Sequence, residues 1–550
     1  MDLASRLGGI VLYQLYPQSF ADGNGDGMGD LAGIAQRLDY LAWLGVDALW
    51  LNPCFASPFD DAGYDVADYL AIAPRYGTTA ELAALCEQAA ERGIGILLDL
   101  VAGHTSDTHP WFEAACRVDA PPAVRDRYIW SDVRGGRWQA PRGREDLGRY
   151  YLPNFFPIQP ALNFGYARMD PHEPWRQPVD APGPRANRAA LKEIMSFWFD
   201  LGVSGFRVDM ASSLVKDDPG LIETSALWQE LRQWIDVAYP GRILLAEWGD
   251  PAVSVPAGFH ADFLLHFGRA DNGLPWRSLF NNNAGTVDEV WQQQVCWADA
   301  AGRGDAALFT RAWTNAAAAI AAADSEGSYG RTGIAGLPTA NHDVTRLVAG
   351  PRDAFQAAVP LAMILTWPAL PSVYYGDEVG MRYVPGTPSI EGSRLGPRYD
   401  RAGSRTPMQW GDLGAEFGPG TPATSKYLPT DPAPGAPTVA AAMRDPDSLL
   451  HLTRRLIALR HDDARLQASA PVTVLSTGYP LAYSRGSDGS LLVALNPAGR
   501  RVTLRVPMEV EHGRVLVGRG VHVTGDEVTL DPFGFAVIDV ASPAEEGPPW

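Results

Sequence analysis

Four stretches of this 550-residue chain set acids directly after apolar runs: Asp99 with His104 beyond it, Asp209 with Arg207 before it, Glu247, and the pair His342-Asp343. Burying a carboxylate is costly unless it is paired or put to use. One such acid reads as a structural ion pair, whereas a series of them reads as a shared site. The four cysteines, Cys54, Cys86, Cys116 and Cys296, are too widely spaced to form a short metal-binding pair. Carboxylates without a thiolate or histidine metal set suit cleavage of a glycosidic bond. There one carboxylate attacks, a carboxylic acid protonates the leaving oxygen, and ~5–5.5 Å separates them in the retaining case. Asp209 fits the first role, because Arg207 shares its strand face and can pair with it. Glu247 fits the second, because Trp248 beside it offers the apolar surroundings in which an acid keeps its proton.

The elements that must hold these residues repeat one pattern: an amphipathic helix, a glycine, then a buried apolar strand. Leu31, Ile34, Leu38, Leu41 and Leu44 recur at helical spacing, Gly45 stops the helix, and residues 46–51 form the strand. Residues 81–92, Gly93 and 94–99 repeat the pattern, as do 191–201, Gly202 and 203–209. Apolar strands alternating with helices imply a parallel sheet covered on both faces. Strand starts are expected near Ile10, Val46, Ile94, Ser204, Ile243, Asp262, Ile334 and Pro371. Eight units predict an α/β fold closed into a (β/α)8 TIM barrel, whose chemistry sits on the loops after the strands' C-terminal ends.

The expected third and fourth strands are too far apart for one unit, so a subdomain carrying Trp130, Trp138, Tyr150 and Tyr151 is expected between them. The expected divisions are 1–104 for the first part of the barrel, 105–175 for the insertion and 176–465 for the rest of the barrel, with a Pro- and Gly-rich loop at 380–437. Residues 466–550 read as a C-terminal antiparallel β-sandwich, with short β runs beginning at 472, 491, 502, 514 and 535.

Composition excludes several classes. A net charge of −19 argues against a nucleic-acid partner, which needs clustered Lys and Arg. No run of about 18 apolar residues predicts a membrane span, and the Ala-rich stretch 316–323 reads as helix. The N-terminal residues lack a basic head and cleavage site, and the cysteines read as reduced thiols, so a cytoplasmic protein is expected. With 56 glycines and 45 prolines scattered along the chain, long ordered loops are expected to shape the site.

The ordered blocks Asp99-Leu100-Val101-Ala102-Gly103-His104, Gly205-Phe206-Arg207-Val208-Asp209, Leu245-Ala246-Glu247 and Asn341-His342-Asp343 resemble those of glycoside hydrolase family 13, the α-amylase superfamily. The resemblance runs from Val11 to the C-terminal β domain. It implies Asp209 as nucleophile, Glu247 as general acid/base and Asp343 as the third acid, which binds hydroxyls of the distorted sugar. It also implies that His104, Arg207 and His342 contact the sugar or the nucleophile.

Within the family the chain is most similar to the oligo-1,6-glucosidase and α-glucosidase branch, through Asp61-Ala62-Gly63-Tyr64, Tyr374-Tyr375-Gly376-Asp377-Glu378 and Arg405-Thr406-Pro407-Met408-Gln409-Trp410. The resemblance implies that Asp61 binds terminal glucose hydroxyls, that Tyr64 stacks on the ring, and that Arg405 paired with Asp61 closes the pocket for exo action on a small α-glucoside. A transglucosidase or a trehalose-synthase-like sugar isomerase would use the same covalent intermediate. A non-catalytic sugar-binding relative would lack part of the acid set, which is complete here.

Some residues depart from the branch. Ala161 stands in Gln159-Pro160-Ala161-Leu162-Asn163 where Asp is usual, and Gly103 replaces the Asn that ligates calcium in α-amylases. Met210 after the nucleophile matches neither the α-1,6 nor the α-1,4 pattern, and Trp248 is bulky enough to narrow the leaving-group side. A separate loop, Asp22-Gly23-Asn24-Gly25-Asp26-Gly27-Met28-Gly29-Asp30, alternates oxygen donors with glycine as a calcium loop does. The resemblance to the branch implies structural Ca2+ there, on Asp22, Asn24, Asp26, Asp30 and the Met28 carbonyl.

Overall fold

The structure, a computed structural model, describes residues 2–264, 275–280, 295–325, 333–391, 401–411 and 426–543. Eight parallel strands close into a barrel: β1 (Leu12–Leu15), β2 (Ala48–Leu51), β3 (Gly95–Val101), β4 (Gly205–Asp209), β5 (Ile243–Ala246), β6 (Ala261–Phe263), β7 (Ile334–Pro338) and β8 (Leu370–Tyr374). The ring closes where Leu12 lies opposite both Ser372 of β8 and Ala48 of β2. Each strand begins within two residues of its expected start.

The two faces of these strands explain where the chemistry sits. Leu12, Ala48, Trp50, Leu97, Ile243, Leu245, Ala261, Phe263 and Leu370 fill the barrel interior, and Leu3, Leu7 and Ile10 close its lower end. Alternate residues such as Leu49, Leu51, Ile96 and Leu98 face outward into the helix layer. On the inward face Asp99 comes two residues after Leu97, and Glu247 two after Leu245. The inward series therefore turns from apolar to charged as it reaches the C-terminal mouth.

The helices obey the sequence pattern with one difference. The stretch expected as a single helix up to Gly45 forms two, α1 (Leu31–Gln36) and α2 (Leu38–Leu44), which meet at Arg37 (φ −107°, ψ 6°). The leucine stripe survives the break because both pieces bury the same side. Next come α3 (Thr79–Glu91), opened by a reciprocal Thr78/Glu81 capping box, and α4 (Pro182–Asp200). Gly45, Gly93 and Gly202 have φ of 93°, 77° and 98°, the left-handed ending that a side chain resists. The Ala-rich stretch lies within α5 (Ala307–Ser325).

Between β3 and β4 the chain builds a small unit on Ile129, Trp138, Leu152, Ala161 and Tyr166, with a short hairpin pairing Trp130–Ser131 with Tyr150–Tyr151. A bridge from His104 to Ala161 ties this unit to the barrel mouth.

The C-terminal strands Val472–Thr477, Leu481–Arg485, Leu491–Leu495, Val502–Arg505, Gly513–Thr524 and Glu527–Pro543 form one antiparallel sheet. Leu481–Arg485, which the short-run reading passed over, pairs with strands on both sides. One sheet face joins the barrel's outer core through Leu481, Tyr483, Leu491, Val493 and Val537. The other encloses its own cluster around Leu492, Val528, Leu530 and Ile538. Register shifts in Gly513–Thr524 bend the long strands over it.

Candidate active site

Arg207 is the hub of one half of the barrel mouth. It lies opposite Asp99 across the β3–β4 ladder and is 2% exposed. Its Nη1 donates to Asp99 Oδ1 at 2.6 Å and to Asp209 Oδ1 at 3.1 Å, while Nη2 pairs with Glu247 Oε2 at 2.7 Å. One guanidinium thus serves three carboxylates, rather than Asp209 alone as the spacing suggested. Asp209 is raised well above the usual carboxylate range by burial and then by the neighbouring Glu247, with which it also shares a hydrogen bond; Arg207 only partly opposes this. Asp99 is raised to about 6, again by burial first and against Arg207. A proton is therefore held tightly among these acids.

The backbone contributes here too. Met210, directly after Asp209, adopts φ 44° and ψ 44°, an uncommon conformation outside glycine. Its N–H donates to Glu247 Oε2 at 2.9 Å.

The other half of the mouth has the opposite charge balance. Asp343, beyond β7, pairs with Arg401 Nη1 at 2.6 Å and Arg405 Nη2 at 3.1 Å, with His342 Nε2 3.4 Å away. Burial would raise Asp343, but the Arg401 and Arg405 guanidiniums, with the neutral His342 turning only its Nε2–H toward the acid, outweigh it and hold the acid well below its ordinary range. Asp61 pairs with Arg401 at 3.5 Å and accepts from Gln159 Nε2 at 2.8 Å. The expected Asp61–Arg405 pair is not formed. Arg405 Nε donates to the His342 carbonyl at 2.9 Å and its guanidinium lies over Tyr16, so its donors face the 342–343 segment. Arg401, on the other side of the short 3-10 turn Ala402–Ser404, reaches both acids instead.

Neutral histidines and a tyrosine join the halves. Gln14 Nε2 and Asn52 Nδ2 donate to His342 Nδ1 at 2.9 and 3.2 Å, which leaves the proton on Nε2 facing Tyr64 Oη at 2.7 Å. Tyr64 Oη in turn donates to Asp99 Oδ2 at 3.0 Å, and one face of its ring stacks on His342 at 5.5 Å. His104 donates from Nε2 to the Tyr64 carbonyl at 3.0 Å and accepts from Asn154 at Nδ1. Burial lowers His104 to about 4 and His342 further, so both are neutral. His104 thus holds the Tyr64 backbone and makes no hydrogen bond to an acid among the described residues.

The structure gathers Asp61, Tyr64, Arg207, Glu247, Asp209, His342, Asp343 and Arg405 around one mouth. Sequence reasoning missed the role of Arg401, which sits in a loop read only as irregular, and of Gln159, whose motif was noted for Ala161. It also missed Lys216. At Gly103 an added Cβ would come within 3.0 Å of Asn154 Nδ2 and Ser213 Oγ. Lys216 Nζ donates to Asn154 Oδ1 at 2.8 Å and to the Ser213 carbonyl, so the chain's own ammonium supplies positive charge there.

The Asp22–Asp30 loop shares no hydrogen bond with these acids among the described residues. Asp22 accepts from the N–H groups of Gly25 and Gly27, Asn24 from Asp26, and Asp26 from Met28, while Asp30 caps α1 through Gly33 N–H at 2.6 Å. Its donors are all oxygens, which fits a hard cation. Among the described residues they do not converge as a ready-made three-carboxylate cluster.

The catalytic-domain pattern of α-amylases matches residues 14–253 and 282–469. The chain belongs to the α-amylase family. The trehalose synthase of Pimelobacter sp. (strain R48) is 33% identical over 492 residues, 82% of this chain and 78% of that one. The glucan 1,6-alpha-glucosidase of Streptococcus pneumoniae serotype 4 is 30% identical over 558 residues, 91% and 93% of the two chains. The trehalulose synthase MutB of Pseudomonas mesoacidophila MX-45 superimposes with a TM-score of 0.76 over 97% of this chain and 99% of its own, at 24% identity. The family makes this protein a glycoside hydrolase by class, and among the described residues no helix is long and apolar enough to cross a membrane.

Proposed function

We propose that this α-amylase-family enzyme is a retaining, exo-acting α-glucosidase that cleaves short α-glucosides through a covalent glucosyl–Asp209 intermediate. The observation that carries the reading is the sharing of one guanidinium by Asp209, at 3.1 Å, and Glu247, at 2.7 Å. Such closeness favours direct attack over the ~6.5–9.5 Å gap that an inverting water needs. With the proton that these acids share resting on Glu247, the Asp209 carboxylate attacks the anomeric carbon as Glu247 gives that proton to the glycosidic oxygen, and the aglycone leaves. Glu247, now a carboxylate, takes a proton from water, whose oxygen displaces Asp209 and releases glucose with its configuration retained. Asp343 and Asp61, held ionised or hydrogen-bonded by Arg401, Arg405 and Gln159, accept the hydroxyls of a terminal glucose. Their cationic wall favours a chain end over an interior unit.

A second reading replaces water with a sugar hydroxyl, giving a transglucosidase or isomerase; the trehalose synthase relatives favour it. Incubation with maltose, isomaltose, sucrose and trehalose, followed by product chromatography, separates the two. Free glucose from at least one supports hydrolysis, a rearranged disaccharide supports transfer, and turnover of none overturns both.

We also propose a structural Ca2+ held by Asp22, Asn24, Asp26, Asp30 and the Met28 carbonyl. It would neutralise the loop's acids and supply no step of the reaction. Four buried free cysteines suit a reducing cytoplasm.

A further inference from the structure

Glu247 stands one residue beyond β5, and its neighbours toward β4 fix one side of it. Its N–H donates to the Val208 carbonyl at 3.0 Å, and Ala211 N–H donates to its own carbonyl at 3.1 Å. On its other side the ladder ends. There the N–H groups of Trp248, Gly249 and Asp250 all turn onto the carboxylate of Asp262, at 3.0, 3.2 and 2.9 Å, and Ser254 Oγ adds a fourth bond at 2.8 Å. Gly249 has φ 80°, the left-handed turn that lets three consecutive amides converge.

Asp262 lies on β6, the strand beside β5, and is fully buried. All four of its donors are neutral, so the charge is not there to balance a cation. An amide side chain would offer one acceptor oxygen and turn N–H donors toward other N–H donors. A carboxylate accepts all four bonds, and bonds to an ionised acceptor are the stronger kind. Burial pushes Asp262 up to about 7, and the four hydrogen bonds from Ser254, Trp248, Gly249 and Asp250 oppose that rise. The segment it holds is the one that follows the acid. The ring of Trp248 also rests edge-on against Phe259, 6.2 Å away, on the chain leading into β6.

We propose that Asp262 is a positioning residue for general acid catalysis: by holding the three peptides after Glu247, it aims the Glu247 carboxyl at the glycosidic oxygen. This rests on the reading of Glu247 as the acid, and the test separates the two. Asp262→Asn, Ser254→Ala and Glu247→Gln are compared on maltose or isomaltose, whose sugar leaving group needs protonation, and on 2,4-dinitrophenyl α-glucoside, whose leaving group does not. The readout is kcat/KM, with thermal melting as a fold check.

Asp262→Asn is expected to lose about 10–100-fold on the disaccharide and no more than about 3-fold on the aryl glucoside, and Ser254→Ala a few-fold on the disaccharide alone. A merely structural role would lower both substrates together. Equal losses, or none, in folded Asp262→Asn overturn the inference. If Asp262→Asn does not fold, Ser254→Ala decides, and the absence of a leaving-group-selective loss overturns it. Glu247→Gln losing both substrates equally would instead overturn the parent reading.

Discussion

The two halves of the barrel mouth differ in charge balance, and the difference follows from their tasks. Around Arg207, burial raises Asp209 and Asp99, Glu247 adds to it, and one guanidinium shared among three carboxylates does not offset it, so a proton stays among them. Around Asp343, two guanidiniums flank one carboxylate, and that acid is lowered. Acid–base chemistry needs a proton that can move; hydroxyl recognition at Asp343 needs an acceptor that keeps its charge. The barrel supplies both from the same ring of strand ends by changing only the ratio of cations to anions.

The largest break in this contrast is removal of the nucleophile. Asp209→Asn should lower kcat/KM on its best disaccharide by about 10⁴-fold or more while terminal-glucose binding, read by calorimetry with glucose, persists. Loss of binding with activity largely retained would place the chemistry elsewhere.

On the recognition side, Arg401→Ala leaves Asp343 with Arg405 but leaves Asp61 without its cation. A drop of about 10–100-fold in kcat/KM, carried mainly by KM, is expected from losing charged hydrogen bonds worth ~1.5–3 kcal/mol. A fall in kcat alone would make Arg401 part of the acid machinery instead.

Stability should report the burial of acids in both halves. Asp61 and Asp99 are raised to about 6 and Asp262 to about 7, burial being the first cause in each. In the unfolded chain these acids titrate near ~4, so between about pH 4 and 7 the folded state holds more protons and stability falls as pH rises. Asp343, lowered in the fold, contributes stability above its ordinary value that is lost on further acidification. Melting curves should therefore peak on the acid side of neutrality, and a peak above pH 8 would contradict these burial effects.

The smallest effect concerns the Asp22–Asp30 loop. Chelation should lower the melting temperature by a few degrees, restored by Ca2+ and not by Mg2+, with kcat unchanged. No shift on chelation would remove calcium from the account.

The barrel was legible because its signal is periodic: eight buried apolar strands, each set off by a helix and most by a turn. The acids were legible because they follow such strands on the inward face, as Asp99 follows Leu97 and Glu247 follows Leu245. What escaped lies where periodicity ends. Arg401 and Arg405 share a loop, and only the turn Ala402–Ser404 decides which guanidinium reaches Asp61. The proton balance of Asp209 escaped as well. Spacing places Arg207 beside Asp209 but cannot show that Asp99 and Glu247 claim the same guanidinium.

The proposed mechanism turns on a covalent bond from sugar to Asp209. Incubation with 5-fluoro-α-D-glucosyl fluoride, followed by proteolysis and mass spectrometry, tests it most directly. One fluoroglucosyl adduct per chain is expected, on the peptide containing Asp209 and absent from Asp209→Asn. An adduct on another residue, or complete turnover of the reagent with β-configured product and no adduct, would contradict it.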